Sequence, residues 1–295
     1  MNITEKAYVT FVVFTFNEAS RIERVVRNLR GSGPVLVVDN HSTDDTRALA
    51  EREGARVIVN QNPGWVEDEN TARVVKDAVD TPWIYWGYAD EMLSRSTLKH
   101  LLSKVRSGRY DILSIGKKNY FYGRFCERAF SGGALPRLFR KDAIDFTGNV
   151  IHHFGRVTVP ADRIYHVDPE RFFTHQFISH STGTMLGNLD RYSFIESRQG
   201  EAPHPLRFLI SLIKAFTVNY FYRRGYRAGR EGFFYCFYNI IYDIFLAMRK
   251  FERENGFDRQ SIERRNDVYR DRILDEQASD ATGGFTGIHA PLETK

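Results

Sequence analysis

The chain has 295 residues, 42% of them hydrophobic, 27% charged and 14% aromatic, which excludes disorder and a low-complexity fibre and leaves room for one large domain with an appendage. The 42 Lys and Arg against 37 Asp and Glu give +5, too weak a bias to mark a nucleic-acid binder. Cys126 and Cys236 form no Cys-x-x-Cys pair, which excludes a disulfide scaffold or zinc ribbon and fits a reducing cytoplasm.

The opening residues, Met1 to Lys6, have no apolar signal core. No run reaches the roughly 18 apolar residues of a membrane span. The best candidates are broken by Lys214, by Arg223-Arg224 and by Asp243, so a soluble or membrane-surface protein is expected.

The first ninety residues alternate between two periodicities. Tyr8 to Phe14 is a β-branched and aromatic run, the pattern of a buried strand. Ile22, Val25, Val26 and Leu29 then fall at helical spacing. Val35 to Val38 is a second strand, and Ser42 with Asp45 reads as a capping box for a helix that Gly54 stops. Arg56–Val59, Asp68–Val79 and Trp83–Trp86 continue the alternation of strand, helix and strand. This order implies βαβ units and a parallel sheet.

Ser96–Ser107 reads as a further helix and Asp111–Ile115 as a strand. The Gly- and aromatic-rich stretch from Lys117 to Phe173 reads as smaller, partly antiparallel strands completing the sheet. Composition changes again at Arg191–Gly200. Residues 205–251 then mix aromatics with eight basic residues against Glu231 and Asp243, a net +6 that exceeds the charge of the whole chain. A charged helical stretch over Phe251–Glu276 and a loose tail follow. The expected division is 1–200 as the α/β domain, 201–276 as a basic aromatic helical region and 277–295 as the tail.

In an open α/β sheet, ligands bind at the carboxyl ends of the strands. Those ends carry Thr15-Phe16-Asn17-Glu18, Asp39-Asn40-His41-Ser42-Thr43-Asp44 and Ala89-Asp90-Glu91. A helix cap accounts for Asn17 or Asp44 singly but not for Asp39 and Asp90 at the strand ends themselves. Neither Gly-x-Gly-x-x-Gly nor a Walker loop follows the first strand, so a dehydrogenase or P-loop enzyme is disfavoured. Carboxylates in place of glycines suggest contacts to base and ribose, with a divalent cation on the diphosphate.

Together Phe14–Glu18, Val37–Thr46, Asn62-Pro63-Gly64-Trp65 and Ala89-Asp90-Glu91 resemble glycosyltransferase family 2, with its GT-A fold: a Rossmann-like α/β architecture with a mostly parallel sheet, here followed by C-terminal amphipathic helices. The spacing and the Asn-Pro-Gly-Trp element are most similar to the lipopolysaccharide-core β-1,4-glucosyltransferase-like branch. The likeness is strong over residues 8–92 and traceable to about residue 235, through Leu138-Phe139-Arg140, Ile151-His152, His175, Arg191-Tyr192-Ser193 and Gly225-Tyr226. It implies that Thr15, Asn17, Glu18, Asp39, Arg73 and Asp90 bind the nucleotide sugar, with Asp39 on the base and Asp90 also facing Mg²⁺ or Mn²⁺. It further implies inverting transfer, in which a base deprotonates an acceptor hydroxyl that attacks the anomeric carbon.

Three positions depart from that pattern. Tyr88 stands where the Asp-x-Asp signature has its first aspartate, leaving Asp90 as the single carboxylate for the metal. His152-His153 stands for His-Glu, which nominates His153 as base, with Asp145 and Asp142 as alternatives. Ala228 takes a position where the family often has Asp.

In the basic segment, Leu206, Leu209, Ile210, Ile213, Phe216 and Tyr220 repeat at helical spacing, as do Phe233, Phe237, Ile240, Ile241, Ile244 and Phe245. Two amphipathic helices joined through Arg223, Arg224 and Arg227 suit an anionic membrane surface; the alternative is packing of both on the sheet. The expectation is an inverting enzyme at the inner face of the plasma membrane, on the cytoplasmic side. It moves a sugar from a nucleotide donor to a lipid-linked envelope glycan and contacts no nucleic acid. Transfer to polyprenyl phosphate and a non-catalytic nucleotide-sugar-binding scaffold are the alternatives.

Overall fold

The structure, a computed structural model, describes residues 8–62, 67–126, 129–130, 132–149, 154–179 and 181–281. The alternating half runs β1 (Val9–Thr15), α1 (Ile22–Leu29), β2 (Val35–Asp39), α2 (Thr46–Arg52), β3 (Arg56–Val59), α3 (Glu69–Ala78) and β4 (Trp83–Tyr88). Strands β3-β2-β1-β4 lie side by side and parallel, with Thr15 level with Asp39 and Phe14 level with Tyr88. Their carboxyl ends therefore open on one side.

The two faces of this sheet are covered by different helices. On one face, Ile22, Val25, Val26 and Leu29 of α1 join Leu98, Leu101 and Val105 of α4 (Arg95–Arg106) over Phe11, Val13 and Tyr85. Full burial of each such side chain contributes on the order of 1.5–3 kcal/mol. On the other, Ala72 and Val75 of α3 pack with Val12, Trp86, Phe139 and Phe146.

β5 (Glu91–Leu93) follows β4 directly, and β6 (Ile112–Phe121) is twice the length that its apolar run predicts. After it come β7 (Arg124–Cys126), β8 (Gly132–Arg140), the short pair β9 (Ile144–Asp145) and β10 (Arg156–Val157), β11 (Ile164–His166) and β12 (Thr174–Ile178). β8 lies antiparallel between β4 and β6, with register shifts between Leu113, Ile115 and Lys117 that bend β6. The far half of β6 pairs in parallel with β12, and β12 pairs antiparallel with β5. The sheet thus curls back on the strand end that carries Asp90.

The C-terminal part is helical: α5 (Thr182–Glu196), α6 (Pro205–Thr217), α7 (Gly229–Asn255) and α8 (Arg259–Ala281). α5 is tied to α7 by Tyr242 with Glu196 and by Arg249 with Asp190. The base of the helical part docks on the sheet through Phe121, Cys126 and Phe130 against Ala228 and Cys236. No α6 residue is buried, and Leu206, Leu209, Ile210 and Ile213 are 57–70% exposed. Packing of both amphipathic helices on the sheet does not hold for α6.

Candidate active site at the strand ends

Asp39 ends β2 with no exposed surface. Its Oδ1 accepts from the Thr15 hydroxyl at 3.2 Å and its Oδ2 from the Ser42 amide at 2.8 Å, with Arg47 Nε at 3.9 Å. Ser42 does not cap α2: its hydroxyl accepts from the Asn17 amide at 2.8 Å. The Asn17 side chain accepts in turn from the Thr43 amide at 2.8 Å, which holds Asn17 at φ +55°. The loops after β1 and β2 are thus one hydrogen-bonded unit around the Asp39 carboxylate. Asn40 and Asn62 extend it by exchanging hydrogen bonds of 2.7 and 2.8 Å. Pro63, Gly64 and Trp65 lie outside the described residues.

Glu18 lies within electrostatic reach of both Asp90 and Asp44. Burial raises its pKa, against the hydrogen-bonded Arg21 guanidinium, and the Asp90 and Asp44 charges add to the rise. Arg21 also donates to the Phe177 carbonyl at 3.1 Å, clamping the start of α1 to β12. Asp90 lies at the same junction: its carbonyl accepts from the Phe177 amide at 2.7 Å and its Oδ2 from Gln176 at 3.0 Å. Thr15, Asn17, Glu18, Asp39 and Asp90 are thereby brought together. Arg73 is not: its contacts are Asn70 and Asp77 on the outer face of its own helix.

Tyr88 is oriented away from metal ligation. Its hydroxyl donates to the Glu67 carboxylate, and the Arg137 guanidinium lies 4.8 Å from its ring centre. Arg137 is buried and donates to the Trp86 carbonyl at 3.1 Å and to Glu91 at 3.3 Å. Where the signature has a first carboxylate, this chain fixes a cation. Arg137 acts only through partners distant in sequence, and Arg21 joins its near neighbour Glu18 to the distant Phe177, so the local pattern gave little sign of either.

Among the described residues no three of His, Cys, Asp and Glu stand together as a metal cage. Asp90 alone suits a cation that keeps most of its ligands as water and diphosphate oxygens, the habit of Mg²⁺ and of Mn²⁺ in such sites. For proton transfer, Asp145 is poorly placed chemically. Its oxygens accept from the Thr147 amide at 2.9 Å and from Arg156 at 2.6 Å, and these bonds hold the carboxyl far below the ordinary range, making it a weak base. His152 and His153 lie outside the described residues. The residues flanking them are at the Tyr88–Arg137 corner: Asn149 donates to the Glu67 carbonyl at 2.8 Å, and the Phe154 ring lies 5.8 Å from Arg137.

Arg223, Arg224 and Arg227 are all exposed around the short turn Gly225–Ala228. Ala228 is buried there, 2.7 Å from where a Cβ on Gly232 would sit, so its position is one of packing.

The parallel strands thus bring Asp39, Asp90 and the Glu18 loop to one side of the sheet, with no glycine-rich phosphate loop after β1. The profile of glycosyl transferase family 2 matches residues 10–158, just over half of the chain. The chain belongs to that family and is a glycosyltransferase. It is 25% identical over 282 residues to an uncharacterised glycosyltransferase of Rickettsia prowazekii, covering 91% of this chain and 92% of the relative. It is 33% identical over 99 residues to the glycosyltransferase AglJ of Haloferax volcanii, covering 33% of this chain and 32% of that one. Among solved structures it is similar to the mannosyltransferase PcManGT of Pyrobaculum calidifontis in complex with GDP-Man and Mn²⁺. That match has 15% identity and a TM-score of 0.45, covering 84% of this chain and 88% of that one.

Proposed function

We propose that this enzyme transfers a sugar, with inversion, from a nucleoside diphosphate donor to a lipid-linked envelope glycan of the lipopolysaccharide-core type. Domain 1–200 would carry the chemistry, and residues 201–276 would hold the enzyme to the inner face of the plasma membrane. The observation that carries the donor half is the convergence of Glu18, Asp39 and Asp90 at one opening. Thr15 and Asp39 form the floor of the nucleotide pocket. Asp90 would hold Mg²⁺ or Mn²⁺, which supplies charge neutralisation at the departing diphosphate.

In the transfer step the acceptor oxygen bonds to the anomeric carbon as the bond from that carbon to the diphosphate oxygen breaks. The bonding pair leaves with the diphosphate, and the acceptor proton passes to the base, for which His153 is the proposed residue. The acceptor half is supported by the exposed apolar stripe of α6, flanked by Arg207 and Lys214 and followed by exposed Arg223, Arg224 and Arg227. Among the described residues no helix is long and apolar enough to cross a membrane, so interfacial seating is the form the contact would take.

The test is transfer from labelled nucleotide sugars to lipid extracts containing core glycolipids, with wild type and Asp90→Asn. Metal-dependent transfer that is lost in Asp90→Asn supports the reading. Transfer only to a short-chain polyprenyl phosphate replaces the glycan acceptor with the lipid carrier. Binding of a sugar nucleotide without any turnover makes the chain a scaffold.

A further inference from the structure

Among the described residues around the opening Arg21 and Arg137 are ion-paired, whereas Asp44, Asp90 and Lys117 are not. Arg21 is satisfied by Glu18, and Arg137 by Glu91. Asp90 has a neutral side-chain partner, Gln176, as Asp44 has Thr46. Lys117 is half-buried and among the described residues has no hydrogen bond or ion pair within 4.0 Å, while Asp90, Glu91 and Arg137 are all within electrostatic reach of it.

The topology brings Lys117 and Asp90 to the same face at the β12 end of the sheet. Lys117 lies on β6 level with Thr174 of β12, and Gln176, two residues further along β12 and hence on the same face, holds Asp90. Lys117 follows the register shift and is paired on both sides, with Gly132 of β8 and Thr174 of β12. A half-buried ammonium without a partner is costly to keep in a fold. One within electrostatic reach of an ionically unpaired carboxylate forms the two poles that a metal–diphosphate complex requires, an anion for the metal and a cation for the phosphate oxygens.

We propose that Lys117 binds the diphosphate of the donor, taking in this chain part of the charge that a second signature carboxylate would take through the metal. The inference rests on the donor reading above. As the bond between the anomeric carbon and the diphosphate oxygen breaks, the electron pair moves onto that oxygen, and the Lys117 ammonium lies where it stabilises the resulting charge. Tyr88 and Lys117 are then two parts of one change: Tyr88 removes a negative ligand, and Lys117 supplies a positive one.

The experiment is calorimetric titration with UDP and GDP, and with UMP and GMP as controls, all in Mn²⁺, for the full chain and for Lys117→Met and Lys117→Arg. Thermal melting establishes that each variant is folded. Lys117→Met is expected to lose about tenfold or more in affinity for whichever diphosphate the wild type binds, and less than about twofold for the matching monophosphate. Lys117→Arg is expected to recover to within about threefold of wild type, because it keeps the charge. Unchanged diphosphate affinity in Lys117→Met, or an equal loss for mono- and diphosphate, overturns the inference while leaving the donor reading intact. A wild type that binds neither diphosphate overturns the donor reading and this inference with it.

Discussion

At the residue scale, Asp39 joins stability to binding. Its carboxylate is enclosed and accepts from Thr15 and Ser42, so Asp39→Ala leaves a buried hydroxyl and a buried amide without an acceptor. The expected loss is on the order of 1–3 kcal/mol, read as a lower denaturant midpoint, with Asp39→Asn losing less because an amide oxygen still accepts. An unchanged midpoint for Asp39→Ala would show that the carboxylate does not organise the loop. Tyr88→Phe removes the donor to Glu67 and is expected to cost about 1 kcal/mol by the same measurement. Asp90 differs from both. It is only part-buried and holds one neutral partner, so Asp90→Asn should leave the midpoint in place while removing transfer.

At the element scale, the alternation from β1 to β4 was legible because each strand is a short apolar run and each helix shows one apolar stripe; α1 buries the four residues its spacing marks. β6 was read only to Ile115 because Gly116, Lys117, Lys118 and Asn119 break the apolar run, although they continue the strand between β8 and β12. α5 escaped notice because its apolar positions have no clear period and it is secured by pairs to α7 that are 46 to 59 residues away in sequence. Of the site, Asp90 was legible from its strand end, whereas Arg73 was assigned by likeness and points outward with its own helix. Arg137 and Lys117, and the reach of Arg21 to Phe177, depend on the curl of the sheet, which no local spacing encodes.

The exposure of α6 gives a direct test at this scale. Leu209→Ser with Ile213→Ser should leave the melting temperature unchanged, since neither side chain is buried, while vesicle binding falls at least about tenfold. Full vesicle binding by the double variant would remove α6 from the interface. Ala228→Asp should have the opposite profile. A carboxylate forced between Gly225 and Gly232 costs on the order of several kcal/mol and lowers the melting temperature whatever the membrane does.

At the scale of the whole molecule, the nucleotide opening and the basic helices are linked through β6. One half of that strand lies beside β8 in the parallel-sheet domain, and its end, Phe121, packs on Phe130 and Tyr235 at the root of α7. A helix held at an anionic surface would therefore fix the orientation of the sheet opening toward an acceptor in the same surface, with the net +6 of residues 205–251 supplying the attraction. That attraction is expected to weaken as salt is raised and to fall further when Arg223, Arg224 and Arg227 are reversed to Glu, both read by vesicle sedimentation. The central claim is narrower: the opening holds a nucleotide sugar through Asp90 and a divalent cation. The measurement that tests it most directly is calorimetric titration of the wild type and Asp90→Asn with a panel of nucleotide sugars, each with Mn²⁺ and with chelator. One sugar nucleotide should bind the wild type in Mn²⁺, with binding lost in chelator and lost in Asp90→Asn. Binding that persists unchanged in both conditions and in Asp90→Asn would contradict the metal assignment, and no binding by any member of the panel would contradict the claim as a whole.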